Sequence, residues 1–267
     1  NEMFIDTADL RNSIVSLAKA LGYTPNSPRS PVADLNIVVN NATGSTLVAA
    51  RGTTFTTSVD GTSYNYVVKD ATTITPVDGV YTFSNLPVYE GTLVNNKFTV
   101  DTANADQRFL IKNNLADTTT LKVTVQNSTS DSTTNTYTLA SDLADVTSSS
   151  KVYYLEGAED QQYEVKFGDG VLGAALSTGN IVTLSYIVTS AEASNGASSF
   201  NLSGSLGGFS DVTVTTATNS ANGAQPETPD SIRFNAPRQY ASQNRTVTPK
   251  DYQSKVKQIY TNAQSVQ

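Results

Sequence analysis

The sequence predicts an α+β fold in which mainly antiparallel β units are inserted between N-terminal and C-terminal helices that pack together. Three observations predict it. An apolar stripe at helical spacing opens the chain. Two threonine–proline helix starts close it. Nearly everything between reads as short strands bounded by turn signals.

The opening helix is read over Asp6 to Leu21. Leu10, Ile14, Leu17, Ala18 and Leu21 recur at spacings of three and four and so share one face. Asp6 is placed to cap it, Asp9 adds negative charge to its first turn, and Gly22 suits the position just past its end. Pro25, Pro28 and Pro31 then make a stiff connector.

Strands are read over 35–39, 46–50, 53–59, 64–69, 79–84 and 93–100, the last closing a first β unit. Asp60-Gly61 and Asp78-Gly79 are tight-turn pairs among them. A second unit takes strands 108–112, 121–126, 134–139, 151–155, 163–167 and 181–188, with a polar loop tip over 127–133. Tyr163, Val165 and Phe167 alternate with Glu164 and Lys166, which predicts one buried and one wet face. Residues 191–208 read as a Ser/Asn/Gly-rich linker with one short strand. Val212 and Val214 suggest another strand, and 219–225 is loop-like.

Thr228-Pro229 and Thr248-Pro249 start the closing helices, read over 229–236 and 249–260. Threonine accepts a bond from a free helix N–H, and proline at the first position loses nothing because its N–H would have been unpaired. Tyr252, Val256, Ile259 and Tyr260 share a face of the second.

Composition narrows the function. The 267 residues carry a net charge of −7, so the surface repels phosphate and nucleic acid is not an expected partner. No cysteine is present, which removes disulfides and thiolate metal sites; no histidine is present, which removes the commonest general base and metal ligand. No apolar run is long enough to cross a membrane, so none is expected as a partner, and no signal segment is visible. Because the chain starts at Asn1 without methionine, it reads as a fragment of something longer.

Chemistry-bearing motifs read as structural. Gly168-Asp-Gly-Val-Leu-Gly173 matches the dinucleotide fingerprint, but no helix follows it; it reads as a glycine-rich β connection, and no cofactor is expected. Glu159, Asp160, Asp142, Asp145 and Asp169 lack the alternating spacing of a calcium loop and read as solvated loop charges. Serine and threonine are abundant without a histidine to activate them, so no catalytic residue is assigned. Asn41, Asn127 and Asn201 head glycosylation-type triplets that read as chance. Arg245 lies between the closing helices, where its fork of donors suits either tying helix ends or touching a partner.

Several blocks in order carry a resemblance. They are Ile14-Val-Ser-Leu-Ala-Lys-Ala-Leu-Gly-Tyr-Thr-Pro25 with Leu35-Asn-Ile-Val-Val39, then Gly52-Thr-Thr-Phe55. Tyr163 to Gly173 with Gly179-Asn-Ile-Val-Thr183 follow, and then Asp230 to Pro237 with Gln243 to Tyr252. Together they resemble the baseplate wedge proteins of T4-like contractile-tailed bacteriophages, in the baseplate J-like group, over nearly the whole chain. Both ends fall short of a full-length member. The resemblance implies a structural, non-catalytic protein of the virion tail baseplate, assembled in the host cytoplasm. It implies association with itself, as a homodimer within a ring around the hub, and with other wedge proteins, and a change of shape when the sheath contracts.

The expected organisation is a helical segment and connector over 1–40, β units over 41–100 and 101–190, return strands over 191–227, and helices over 228–267 packing on the first. The candidate helical core or interface is Leu10, Ile14, Leu17, Leu21, Ile232, Arg245, Tyr252, Val256 and Ile259. Two other functions are weighed: a host-surface adhesin, suggested by the Thr/Ser/Asn-rich β region, and a carbohydrate-processing enzyme acting through Glu159 or Asp169. Helix starts at both ends favour the scaffold over the adhesin. The missing histidine and scattered acids count against the enzyme.

Overall fold

A computed structural model describes residues 2–140 and 145–242. The chain is α+β. Helix α1 (Arg11–Ala20) is followed by β1 (Val32–Val39), β2 (Leu47–Ala49), β3 (Thr54–Val59), β4 (Thr62–Val68), β5 (Thr72–Ile74) and β6 (Tyr81–Glu90). Then come β7 (Thr92–Thr99), β8 (Phe109–Ile111), β9 (Ala116–Gln126), β10 (Thr134–Leu139), β11 (Val152–Gly157), β12 (Tyr163–Phe167) and β13 (Ile181–Val188). β14 (Asn201–Ser203), β15 (Val212–Ala221) and α2 (Pro229–Ser242) complete it.

Two barrel-like sheets hold most strands. The first runs β14-β3-β4-β6-β1-β15, and the second β7-β13-β9-β10-β11-β12-β8. A two-stranded piece, β2-β5, packs beside the first. Pairing is antiparallel except between β10 and β11. Asp60 and Gly61 both take positive φ, as a two-residue hairpin between β3 and β4 requires; Asp78 and Gly79 do the same between Val77 and Val80.

Each sheet wraps its own core. Leu35, Ile37, Phe55, Phe83 and Val88 lie in the first; Ile111, Val123, Val165, Val182 and Leu184 lie in the second. The second sheet's end strands are brought together by aromatic rings. Phe98 on β7 meets Phe109 on β8 at 5.5 Å, Phe109 meets Phe167 at 5.3 Å, and Phe167 meets Tyr137 at 5.5 Å, all edge to face. In the first lobe the buried Tyr66 hydroxyl bonds Ser194 Oγ at 2.7 Å and Ser220 Oγ at 2.6 Å. These bonds tie the turn after β13 to β15.

Several strands differ from expectation. The strand near 93–100 pairs with β13 in the second sheet, not with the first unit. The change of sheet occurs at Gly91, with φ +125, between two otherwise continuous runs of strand. A Cβ there would lie 2.2 Å from Val188 O, so only glycine fits the crossing. β1, β14 and β15 all join the first sheet, so that lobe draws on both sides of the second in sequence. β15 runs to Ala221 through residues read as loop, because it pairs with β1 as far as Val32. β5 is three residues long, too short for an alternation signal. α2 continues through Pro237 instead of stopping at Ala236. Glu164 is buried rather than wet, because Arg108 meets its Oε2 with Nε at 3.1 Å and Nη2 at 2.8 Å.

Candidate interaction site

α1 begins at Arg11 rather than near Asp6. Leu10 is its N-cap and has no side-chain cap. The carboxylate of Glu2 serves instead, accepting from Asp9 N at 3.1 Å and Leu10 N at 3.3 Å. A hydrogen bond from Ser13, then that from Asp9, hold the Glu2 carboxyl below its usual range. The helix ends as the sequence suggests. Gly22, at φ +72, donates to Lys19 O, and Tyr23 N donates to Ala18 O, which satisfies two orphan carbonyls.

α2 starts where Thr228-Pro229 places it. Thr228 Oγ1 accepts from Ser231 N at 3.3 Å, and Thr228 O accepts from Ile232 N at 3.0 Å. Ile14, Val15, Ala18, Tyr23, Ile232 and Ala236 share one buried cluster, with Leu17 and Leu21 partly buried against it. Leu10 lies outside this cluster, 64% exposed, because the helix starts only after it. Arg245, Tyr252, Val256 and Ile259, and the helix start at Thr248-Pro249, lie outside the described residues.

A buried carboxylate organises the cluster's edge. Glu227, 8% exposed, accepts from the Tyr23 hydroxyl at 2.8 and 2.9 Å, Asn26 N at 3.0 Å, Ser231 Oγ at 2.7 Å and Asn235 Nδ2 at 3.1 Å. Its backbone carbonyl accepts from Arg11. Burial, and then the Glu227 charge, push the Tyr23 phenol far above its usual value, so it stays a donor. Arg233 adds a second link, donating to Ala8 O through Nε at 3.1 Å and Nη2 at 2.8 Å.

Polar and close contacts join this region to the second lobe. Asn12 Nδ2 donates to Asp160 Oδ1 at 3.2 Å, and Asp160 N donates to Asn12 Oδ1 at 3.1 Å. Glu156 Oε2 lies 2.7 Å from Lys19 Nζ and 2.9 Å from Lys166 Nζ. A Cβ on Gly157 would come within 2.9 Å of Val15, so the helix sits directly on that strand. Tyr163 OH donates to Pro25 O at 3.0 Å.

Two further buried acids, Glu90 beside the Gly91 crossing and Asp117 in β9, bind segments far apart in sequence. Glu90 Oε2 accepts from Thr189 Oγ1 at 2.6 Å and Ser190 N at 2.8 Å. Asp117 Oδ2 accepts from Ser30 N at 2.8 Å. Arg51 ties the lobes as well, donating to Thr120 O, to Ser185 Oγ and O, and to Lys69 O. The sequence reading missed all of these. Glu227 beside a threonine–proline helix start and Glu90 beside Gly91 are the only local signals.

The remaining motif residues do not converge. Gly168 to Gly173 form a turn in which Asp169 Oδ1 accepts from Leu172 N and Val171 N, and those bonds hold its carboxyl low. Glu159 and Asp160 sit on a short turn before β12, Asp145 is exposed, and Asp142 lies outside the described residues. Among the described residues, no group of three or more acids, histidines or cysteines could hold a metal.

No family model matches the chain. Baseplate wedge protein gp6 of Enterobacteria phage T4 is 24% identical to it over 97% of its length. The chain resembles a baseplate wedge protein. It spans 42% of that relative's length. A chain of the cryo-EM structure of the anti-feeding prophage baseplate, 6-fold symmetrised, matches 96% of this chain and 48% of itself. The identity is 16% and the TM-score 0.34, too loose an overlap to carry an argument. In this chain, the buried carboxylates Glu227, Glu90 and Asp117 tie segments far apart in sequence to one another.

Proposed function

We propose that the chain is a structural part of a contractile-tail baseplate wedge, without catalytic activity. The observation that carries the reading is the likeness to a baseplate wedge protein, which runs through 97% of this chain and so includes both lobes and the helices. In this reading the N-terminal and C-terminal helical segments act as one unit, and the two β lobes project from it as docking surfaces. The chain meets a second copy of itself within a ring around the hub, binds other wedge proteins, and shifts when the sheath contracts. Its place is the virion tail, after assembly in the host cytoplasm; neither nucleic acid nor membrane is a partner.

The distribution of apolar surface supports self-association. Met3, Phe4, Leu10, Phe234 and Tyr240 are exposed large apolar side chains on or beside α1 and α2. Placed on one symmetric patch, such residues could serve both partners of a dimer. Mass in solution and pull-down with purified wedge components of the same baseplate test the proposal. A concentration-dependent dimer and retention of wedge components are expected. A strict monomer at high concentration that retains no wedge component would refute it.

A further inference from the structure

From Thr134 to Tyr137 β10 pairs with β9, and at Thr138 and Leu139 it pairs with β11 instead. Where β10 leaves β9, a cleft of about 320 Å³ opens between the two lobes. Residues 119–122 of β9, 136–139 of β10 and Tyr153 of β11 line it from the second lobe. Arg51, Lys69 and Asp70 line it from the first.

Two donors in this cleft have no acceptor. Tyr137 is 8% exposed and Tyr153 6%. Neither phenol hydroxyl meets a hydrogen-bond partner among the described residues, and neither is sealed from open space. Burial alone raises Tyr137 and pushes Tyr153 up to about 12, with no hydrogen bond to offset it. A buried hydroxyl without a partner is costly, so an acceptor brought from outside gains more here than at an open surface.

Positive charge in the cleft is under-compensated as well. The Arg51 side chain, 15% exposed, donates to Thr120 O, Ser185 Oγ, Ser185 O and Lys69 O, all neutral. Among the described residues its nearest carboxylate is Asp70, 3.8 Å away and 69% exposed, which Lys69 shares at 3.6 Å. Lys122 is exposed and makes no ion pair among the described residues. Arg51, Lys69 and Lys122 therefore face a single carboxylate, in a chain whose net charge is −7. Leu121 and Leu139 add apolar surface beside them.

We propose that this cleft binds the carboxylates of a short acidic peptide segment from a partner protein, with the Tyr137 and Tyr153 hydroxyls as donors and Arg51, Lys69 and Lys122 as countercharges. A short segment fits better than a long polyanion, because the negative charge of the whole chain repels whatever extends past the cleft. The leucines cover the aliphatic arms of acidic side chains, which a free inorganic anion lacks. Nothing in this assignment depends on the baseplate reading.

The test titrates the full chain into a labelled, end-blocked peptide of alternating leucine and glutamate, followed by fluorescence anisotropy, with the glutamine counterpart as control. Tyr137→Phe combined with Tyr153→Phe removes both hydroxyls and keeps both rings. Lys122→Gln removes a charge at the cleft, and Lys97→Gln removes one from β7, outside it. The glutamate peptide is expected to bind and the glutamine peptide not. Affinity should fall about tenfold in the double phenylalanine variant, the scale of one lost hydrogen bond. It should fall about threefold in Lys122→Gln, the scale of an exposed ion pair, and stay unchanged in Lys97→Gln. No binding of the glutamate peptide would overturn the proposal, as would wild-type affinity in the double variant or equal losses in Lys122→Gln and Lys97→Gln. Displacement of the labelled peptide by inorganic phosphate as readily as by unlabelled peptide would also overturn it, in favour of a free-anion site. If the double variant fails to fold, the two single variants decide: a loss in either supports the proposal, and wild-type affinity in both overturns it.

Discussion

Replacing Glu227 by alanine isolates what the buried carboxylate contributes. Four groups lose an acceptor: the Tyr23 hydroxyl, Asn26 N, Ser231 Oγ and Asn235 Nδ2. At about 1.5–3 kcal/mol for each bond to a charged group, simple addition would overshoot, because some donors find other partners. Asn235 Nδ2 keeps Ser231 Oγ at 3.0 Å, and Ser231 is only partly buried and can turn to water. Tyr23 and Asn26 remain, and each orphaned donor costs about 1–3 kcal/mol. The expected loss for the two is therefore about 2–6 kcal/mol, which brackets the range seen when one partner of a buried charged contact is removed. Urea denaturation followed by tyrosine fluorescence measures it, as a lower midpoint at unchanged slope. Tyr23→Phe, which deletes one donor along with its bond, should cost less than Glu227→Ala. A loss below about 1 kcal/mol for Glu227→Ala, the level of an exposed ion pair, would refute the reasoning.

Other perturbations separate core from surface. Ile14→Ala, at a fully buried position, should cost about 2–5 kcal/mol, whereas Leu10→Ala at the exposed N-cap should stay within about 0.5 kcal/mol; denaturation midpoints of the two variants check this. Gly91→Ala forces a Cβ against Val188 O at a positive φ and should lower stability by about 2–5 kcal/mol in the same assay. Alkaline pH should destabilise the chain. Burial pushes Tyr153 up to about 12 from 10.0 and raises Tyr23, Tyr66 and Tyr163 as well. A folded value above the unfolded one gives stability that is complete below pH 10 and is lost as pH rises through the folded values. Thermal midpoints across that window should fall, in step with late tyrosinate absorbance; a flat profile would contradict it.

One end of each helix, the C-terminus of α1 and the N-terminus of α2, was legible because capping is local chemistry: Gly22 and Thr228-Pro229 act within a few residues of the ends they set. The Asp60-Gly61 hairpin was legible for the same reason. Sheet membership was not. Alternation marks Leu93 and its neighbours as strand, but nothing in those residues says which sheet receives them. That depends on Val188 passing the Gly91 backbone nearly a hundred residues later in the chain. Glu164 misled because alternation predicts a face, not a partner, and Arg108 comes from another strand region. At the candidate site, helical spacing placed Ile14 on the apolar stripe of the first helix, and Ile14 is fully buried. The role of Glu227 did not follow from spacing, since two of its four donors, Tyr23 and Asn26, are far away in sequence. Leu10 fits the apolar stripe, yet stands exposed because the first helical turn forms one residue after it.

All the strands of the seven-stranded lobe lie between Thr92 and Val188, and Glu90 holds Thr189 beside the Gly91 crossing. That lobe therefore has a single doorway, as an inserted cassette does. Its loops could lengthen, shrink or be exchanged without disturbing the strand order of the first sheet. Any pull on the cassette would also reach the rest of the chain partly through two neighbouring peptide segments, where a glycine and a buried carboxylate set how far they can part.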